Sequence, residues 1–79
     1  MATVEEGRVC IKVFGRDAGS KAVITKVVND SFVMVVTKVR PKPRRCNVKH
    51  LELLDEKVDI NNKEQIAKAI EIDPAKLKL

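Results

Sequence analysis

Lys38, Arg40, Lys42 and Arg44 occupy alternate positions in a stretch that also holds Pro41, Pro43 and Arg45, so five of the eight residues from 38 to 45 are basic. In a strictly extended chain alternate side chains share one side, and at about 3.3 Å per residue four cations so placed reach over roughly 20 Å. Such an array suits a polyanion. Prolines stiffen it and lower the entropy lost on docking to phosphates. The plainer use of the same residues is an edge that resists aggregation. A second basic segment, Lys12 to Lys21, carries Arg16, Ser20 and Lys21 beside Gly15 and Gly19. Glycine-rich loops can turn backbone N–H groups toward phosphate. This one is not a Walker loop, because Gly19 follows Gly15 by four positions and is succeeded by Ser20.

Charge supports the same reading. The chain of 79 residues has a net charge of +5, unevenly spread. Residues 1–50 hold eleven basic against four acidic side chains, whereas residues 51–79 hold five against seven. A surplus of this kind favours polyanionic partners without naming one. Glu52, Asp55, Glu56 and Asp59 form the acidic counterpart, either a surface for a basic neighbouring protein or a solvated face.

Catalysis has little to stand on. His50 is the one histidine, Ser20 and Ser31 sit in turn-like segments, and Glu5 and Glu6 are adjacent on a terminal arm. Cys10 and Cys46 lie 36 positions apart with no CxxC, so Cys and His alone cannot complete a four-ligand zinc site. Both cysteines read as reduced, half-buried or buried small apolar residues. No cofactor, metal or small-molecule substrate is expected. No apolar run approaches 18 residues, and Met1 to Glu6 has no signal-peptide pattern, which reads as an intracellular chain without a membrane partner.

The elements that must position these groups are mostly strands. Arg8 to Phe14 alternates, with Val9, Ile11 and Val13 on the expected core face. Lys21 to Val28 and Ser31 to Thr37 are β-branched runs joined at Asn29-Asp30, a hairpin pattern. Strand three is apolar on both faces, with Phe32, Met34 and Val36 on one and Val33 and Val35 on the other, so each needs a cover. Lys38 to Arg45 reads as an extended loop or edge, followed by a short strand near Cys46 to Val48. His50 to Leu54 fits a helical turn or a closing strand equally well. Asn62 with Gln65 resembles a capping box opening a helix from about Lys63 to Glu71, packed through Ile66, Ile70 and Ile72. Asp73-Pro74 caps a last turn before a tail expected to fray or to continue in a longer parent chain. Short strands at about ten-residue intervals favour a small barrel. The reading is a mainly β domain, residues 1–60 forming the barrel and residues 61–79 a helical extension of the same domain.

Gly7-Arg8-Val9 leading to Val13, then Gly15-Arg16-Asp17-Ala18-Gly19-Ser20-Lys21, then Val23 to Val28, resembles the KOW motif of ribosomal proteins and transcription elongation factors. Gly19 matches the characteristic glycine of that motif. With Pro41 to Arg45, His50-Leu51 and the acidic Leu54 to Asp59, the stretch from about Val4 to Ile60 is similar to archaeal members of the large-subunit ribosomal protein family numbered fourteen in the eukaryotic-type series. The resemblance implies an SH3-like barrel, ribosomal RNA of the large subunit and neighbouring ribosomal proteins as partners, and a structural role in translation on cytoplasmic ribosomes. It also implies RNA contact by Arg16, Ser20 and Lys21, to which the basic stretch adds Lys38, Arg40, Lys42, Arg44 and Arg45. The extensions of eukaryotic members are not expected here, and the isolated protein is expected to be a monomer.

Two aromatic residues, Phe14 and Phe32, are the whole aromatic complement, and both are expected in the core. Recognition by stacked bases is then poorly served, which leaves phosphate and 2′-hydroxyl contacts to structured RNA as the default mode. The same poverty argues against an SH3-type groove for proline-rich peptides, which needs aromatic walls. A KOW-type transcription or translation factor and a protein-interaction module stand as alternatives.

Overall fold

A computed structural model describes residues 4–15, 18–39 and 41–77. Five antiparallel strands, β1 (Arg8–Lys12), β2 (Lys21–Val27), β3 (Phe32–Thr37), β4 (Arg44–Asn47) and β5 (Leu51–Lys57), form one sheet in the order β4-β3-β2-β1-β5. One helix, α1 (Lys63–Ala69), follows. The hairpin expected at Asn29-Asp30 is present. The Asn29 side-chain oxygen accepts the N–H groups of Ser31 (2.8 Å) and Phe32 (2.9 Å), which holds the chain in its reversal.

Both faces of strand three are indeed used. On one face Val9, Val23 and Val36 meet Ile66, Ala67, Ala69 and Ile70 of the helix, and Leu77 closes the cluster. On the other, Cys10, Ala22, Ile24, Val33 and Val35 pack with Cys46 of β4 and Leu51 of β5. A seven-residue helix is marginal by itself, and each isoleucine it buries contributes roughly 1.5–3 kcal/mol relative to exposure. Packing on the sheet is therefore what holds it.

The sheet is curled but not a closed barrel, contrary to the expectation above. Cys46 and Leu51 bring the two edges into one core cluster, while β4 and β5 share no register. Strand β4 is only four residues long and passes directly into a 3₁₀ turn at Val48–His50. That turn consumes the chain that would otherwise pair with β5. It also answers the open question at His50 to Leu54: the chain turns through His50 and then enters β5. Curvature comes from irregular pairing between Ile24 and Lys26 against β3, and between Arg8 and Cys10 against β5.

Several local expectations are corrected. Strand β1 stops at Lys12, leaving Val13 42% exposed, and it buries Arg8 as well as Val9, while Cys10 is buried as expected of a small apolar thiol. Burial of Arg8 is possible because its guanidinium donates to the carbonyls of Leu54 (3.3 Å) and Asp55 (3.0 Å) and to Glu5 Oε1 (2.6 Å). Asn62 caps α1 by accepting from the Gln65 N–H, 3.2 Å, but Gln65 Oε1 reaches back to the Asp59 N–H, 3.1 Å, so the reciprocal half of the box is replaced. Asp73 caps the last turn through the Ala75 N–H, 2.9 Å, and the tail is anchored by buried Leu77. Lys78 and Leu79 lie outside the described residues.

Candidate nucleic-acid interface

Pairing of Ala22 with Thr37 sets Lys21, the first residue of β2, beside Lys38, the residue after β3. The loop between β1 and β2 is tied at its base by the Gly19 N–H to Lys12 carbonyl (2.6 Å) and Lys12 N–H to Ser20 carbonyl (3.0 Å) bonds. Gly19 takes φ +88°, a conformation that costs a residue with a Cβ, and nothing lies within 4 Å of where that Cβ would stand. The outcome is a groove of about 330 Å³ lined by Ser20, Lys21 and Lys38, together with Ile70 and Glu71, which follow α1. Among the described residues that line it, Glu71 is the one carboxylate.

The proline-bearing segment is not a straight strand. The chain bends at Lys38, Val39 and Lys42, so Lys38, Lys42 and Arg44 do not lie along one extended strand. Lys42 is exposed between half-buried Pro41 and Pro43. Arg44 and Arg45 belong to the edge strand β4, opposite Val35 and Met34, and neighbouring residues of a strand face opposite ways. The structure thus gathers Ser20, Lys21 and Lys38 and sets Arg45 apart from them. Arg16 and Arg40 lie outside the described residues.

Arg45 is instead part of a second groove, of about 440 Å³, that sequence reasoning missed. Its guanidinium carbon stands 5.1 Å from the centre of the Phe32 ring, a cation–π stack. Phe14 lies across the groove, 60% exposed, with its ring centre 5.0 Å from that of His50 and tilted by 57°. Neither phenylalanine is a core residue. Phe14 lies two residues beyond the end of β1 and Phe32 opens β3, and no local sequence pattern brings them to one groove. The imidazole is held there because the His50 carbonyl accepts the Val13 N–H, 2.8 Å.

The acidic residues Glu52, Asp55 and Glu56 are exposed on edge strand β5, and exposed Asp59 follows it. Glu5 is spoken for by Arg8 and by Lys57, 3.4 Å away. Partial desolvation raises its carboxyl, but Lys57 and Arg8 outweigh that and hold it below the ordinary value. Burial, with Cys46 as a neighbour, pushes the Cys10 thiol up to about 12. Cys10 and Cys46 are both free and buried, a neutral part of the core. Among the described residues no three His, Cys, Asp or Glu side chains are grouped to hold a metal ion, and no helix is long and apolar enough to cross a membrane.

Fold and site together define a small sheet-built domain with a cationic loop end and an aromatic–cationic groove. No family model matches the chain. It is, however, 52% identical over 60 residues to large ribosomal subunit protein eL14 of Methanococcus maripaludis, covering 76% of this chain and 75% of that protein. It is 44% identical over 79 residues to the Saccharolobus solfataricus protein of the same name, covering 90% of this chain and 80% of the relative. The chain belongs to the eL14 family of large ribosomal subunit proteins.

Proposed function

We infer that the protein is a non-catalytic constituent of the large subunit of cytoplasmic ribosomes, holding ribosomal RNA through basic side chains of its loops. The observation that carries this reading is the family membership, through relatives named for the large ribosomal subunit. The charge distribution supports it, because eleven of the sixteen basic residues fall before residue 51. The curled five-stranded sheet is compatible with an SH3-like KOW module, in which the loop through Ser20 and Lys21 would meet phosphates. Lys38, Lys42, Arg44 and Arg45 would extend that contact along the RNA, with Arg16 and Arg40 as further candidates from the sequence. The acidic β5 edge would face neighbouring ribosomal proteins.

The test is sedimentation of the untagged protein with large subunits across a salt series, paired with affinity for purified large-subunit RNA. Retention with release as salt rises is expected. Each phosphate neutralised contributes about 0.7–0.9 to the slope of log affinity against log salt. Replacing Lys21, Lys38, Lys42 and Arg44 by Gln should therefore flatten the slope by about 3 if all four meet phosphate. Absence from subunits would overturn the reading in favour of a free KOW-type factor or a protein-interaction module.

A further inference from the structure

Both aromatic residues of this chain line one groove, and both are paired with a nitrogenous side chain. Phe32 carries the Arg45 guanidinium at 5.1 Å, and Phe14 carries the His50 ring at 5.0 Å. Lys12 lines the same groove. Phe14 is 60% exposed, more than any other large apolar side chain described. A single exposed apolar residue needs no explanation. Gathering the entire aromatic complement of a protein into one solvent-facing groove flanked by cations is a different arrangement, because those rings contribute nothing to the fully buried core. Aromatic faces accept the π-face of any base, and guanidinium planes do the same.

We propose that the groove between Phe14 and Arg45 receives one unstacked nucleotide of the bound RNA, its base lying on the Phe14 ring beside His50 and its phosphate near Arg45 and Lys12. The proposal rests on the RNA-binding reading above and adds a second mode of contact to it. The occupant is a nucleotide because the groove joins apolar ring faces to positive charge, which matches the two halves of that ligand. Stacking of Arg45 on Phe32 restrains the guanidinium, so less side-chain entropy is lost when a phosphate arrives. The Phe14–His50 tilt of 57° keeps the two rings from covering one another, leaving ring surface open to a base.

The experiment measures affinity of the full chain for purified large-subunit RNA, across a salt series, for the wild type and for Phe14→Ala, Phe14→Leu and Phe14→Trp. Loss of one base–aromatic stack should weaken binding roughly 5- to 150-fold. Phe14→Ala and Phe14→Leu should both show it, Phe14→Trp should restore affinity, and the salt slope should not change, because no phosphate contact is removed. Phe14 is exposed, and unchanged thermal midpoints will confirm that the variants fold. Chemical probing of the RNA should show one flexible nucleotide protected by the wild type and exposed with Phe14→Ala. If Phe14→Ala binds as tightly as wild type, the proposal is overturned while the basic-loop reading stands. Normal RNA affinity combined with loss of the variant from subunits would overturn it in favour of a protein neighbour. If wild type fails to bind the RNA at any salt, both readings fall.

Discussion

Gly7 and Gly19 share a backbone angle, φ +88°, but stand in different surroundings, and the pair therefore separates two costs that are usually measured together. A Cβ on Gly19 meets nothing within 4 Å. Gly19→Ala should thus lose only the conformational term, about 1–2 kcal/mol for a residue held at positive φ. A Cβ on Gly7 would stand 2.1 Å from the Val58 carbonyl oxygen, a backbone atom that cannot step aside without moving the chain that leaves β5. Two hydrogen bonds depend on that spot, Gly7 N–H to Ile24 carbonyl at 2.7 Å and Val58 N–H to Gly7 carbonyl at 2.8 Å. Each contributes about 1 kcal/mol net, so Gly7→Ala should cost about 3–4 kcal/mol in all. For a domain of this size 1 kcal/mol shifts the thermal midpoint by about 4–8 °C. Scanning calorimetry with urea titration should place Gly19→Ala some 4–16 °C below wild type and Gly7→Ala at least about 8 °C lower again, or unfolded. Equal midpoints for the two variants would refute the steric argument and with it the anchoring of the N-terminal arm against Val58.

Other outcomes follow from the same contacts. Glu71 adopts φ 62° where the Ile72 N–H reaches the Ala67 carbonyl (2.9 Å) and the Glu71 N–H the Lys68 carbonyl (3.3 Å), a glycine-type helix ending. Glu71→Gly should therefore raise the urea midpoint by the equivalent of about 1 kcal/mol, and an unchanged or lower midpoint would contradict this. Cys10 has its folded pKa raised from 9.0 to about 12, so its contribution is intact below about 9 and is lost as pH climbs from there toward about 12. Iodoacetamide at pH 8 should leave Cys10 unmodified by mass spectrometry until denaturant is added; labelling at the rate of a free peptide thiol would show that it is not buried. Glu5 has its folded pKa lowered from 4.5, so its contribution is present above that value and lost as pH falls through the lower one. Urea midpoints for Glu5→Gln should consequently fall less between pH 6 and pH 3 than those of wild type.

Periodicity located what depends on local physics. The β2–β3 hairpin was legible because β-branched runs flank Asn29, and the helix start because Asn62 precedes a 3.6-residue repeat of Ile66, Ala67 and Ile70. Alternation in β1 sets Arg8 opposite the Val9 face and so predicts an exposed side chain, whereas the burial expected of Cys10 is met. Here Arg8 finds acceptors in Leu54, Asp55 and Glu5 that no local pattern announces. Barrel closure was misjudged for a similar reason: whether β4 meets β5 depends on how much chain the turn at Val48–His50 consumes. The cationic cluster of Ser20, Lys21 and Lys38 was visible as composition, and its assembly follows from strand register. The Phe14–Arg45 groove was invisible, since aromatic scarcity alone predicts burial and only the curl of the sheet brings residues 12, 14, 32, 45 and 50 to one place.

Because adjacent residues of β1, β2 and β3 enter opposite core clusters, this sheet has no wet side to penalise a sliding error across its centre. A one-residue slip of β3 past β2 would exchange Val33 and Val35 for Met34 and Val36, apolar for apolar, where an ordinary one-sided sheet would have to bury charge. Hydrophobicity thus demands that these strands associate without saying how they align. Alignment falls to short polar devices: the Asn29 side chain, whose two bonds set the hairpin length, and the irregularity at Ile24 and Lys26 that interrupts the ladder at one place only. Fidelity of the fold in this protein is held by a turn asparagine more than by its valines.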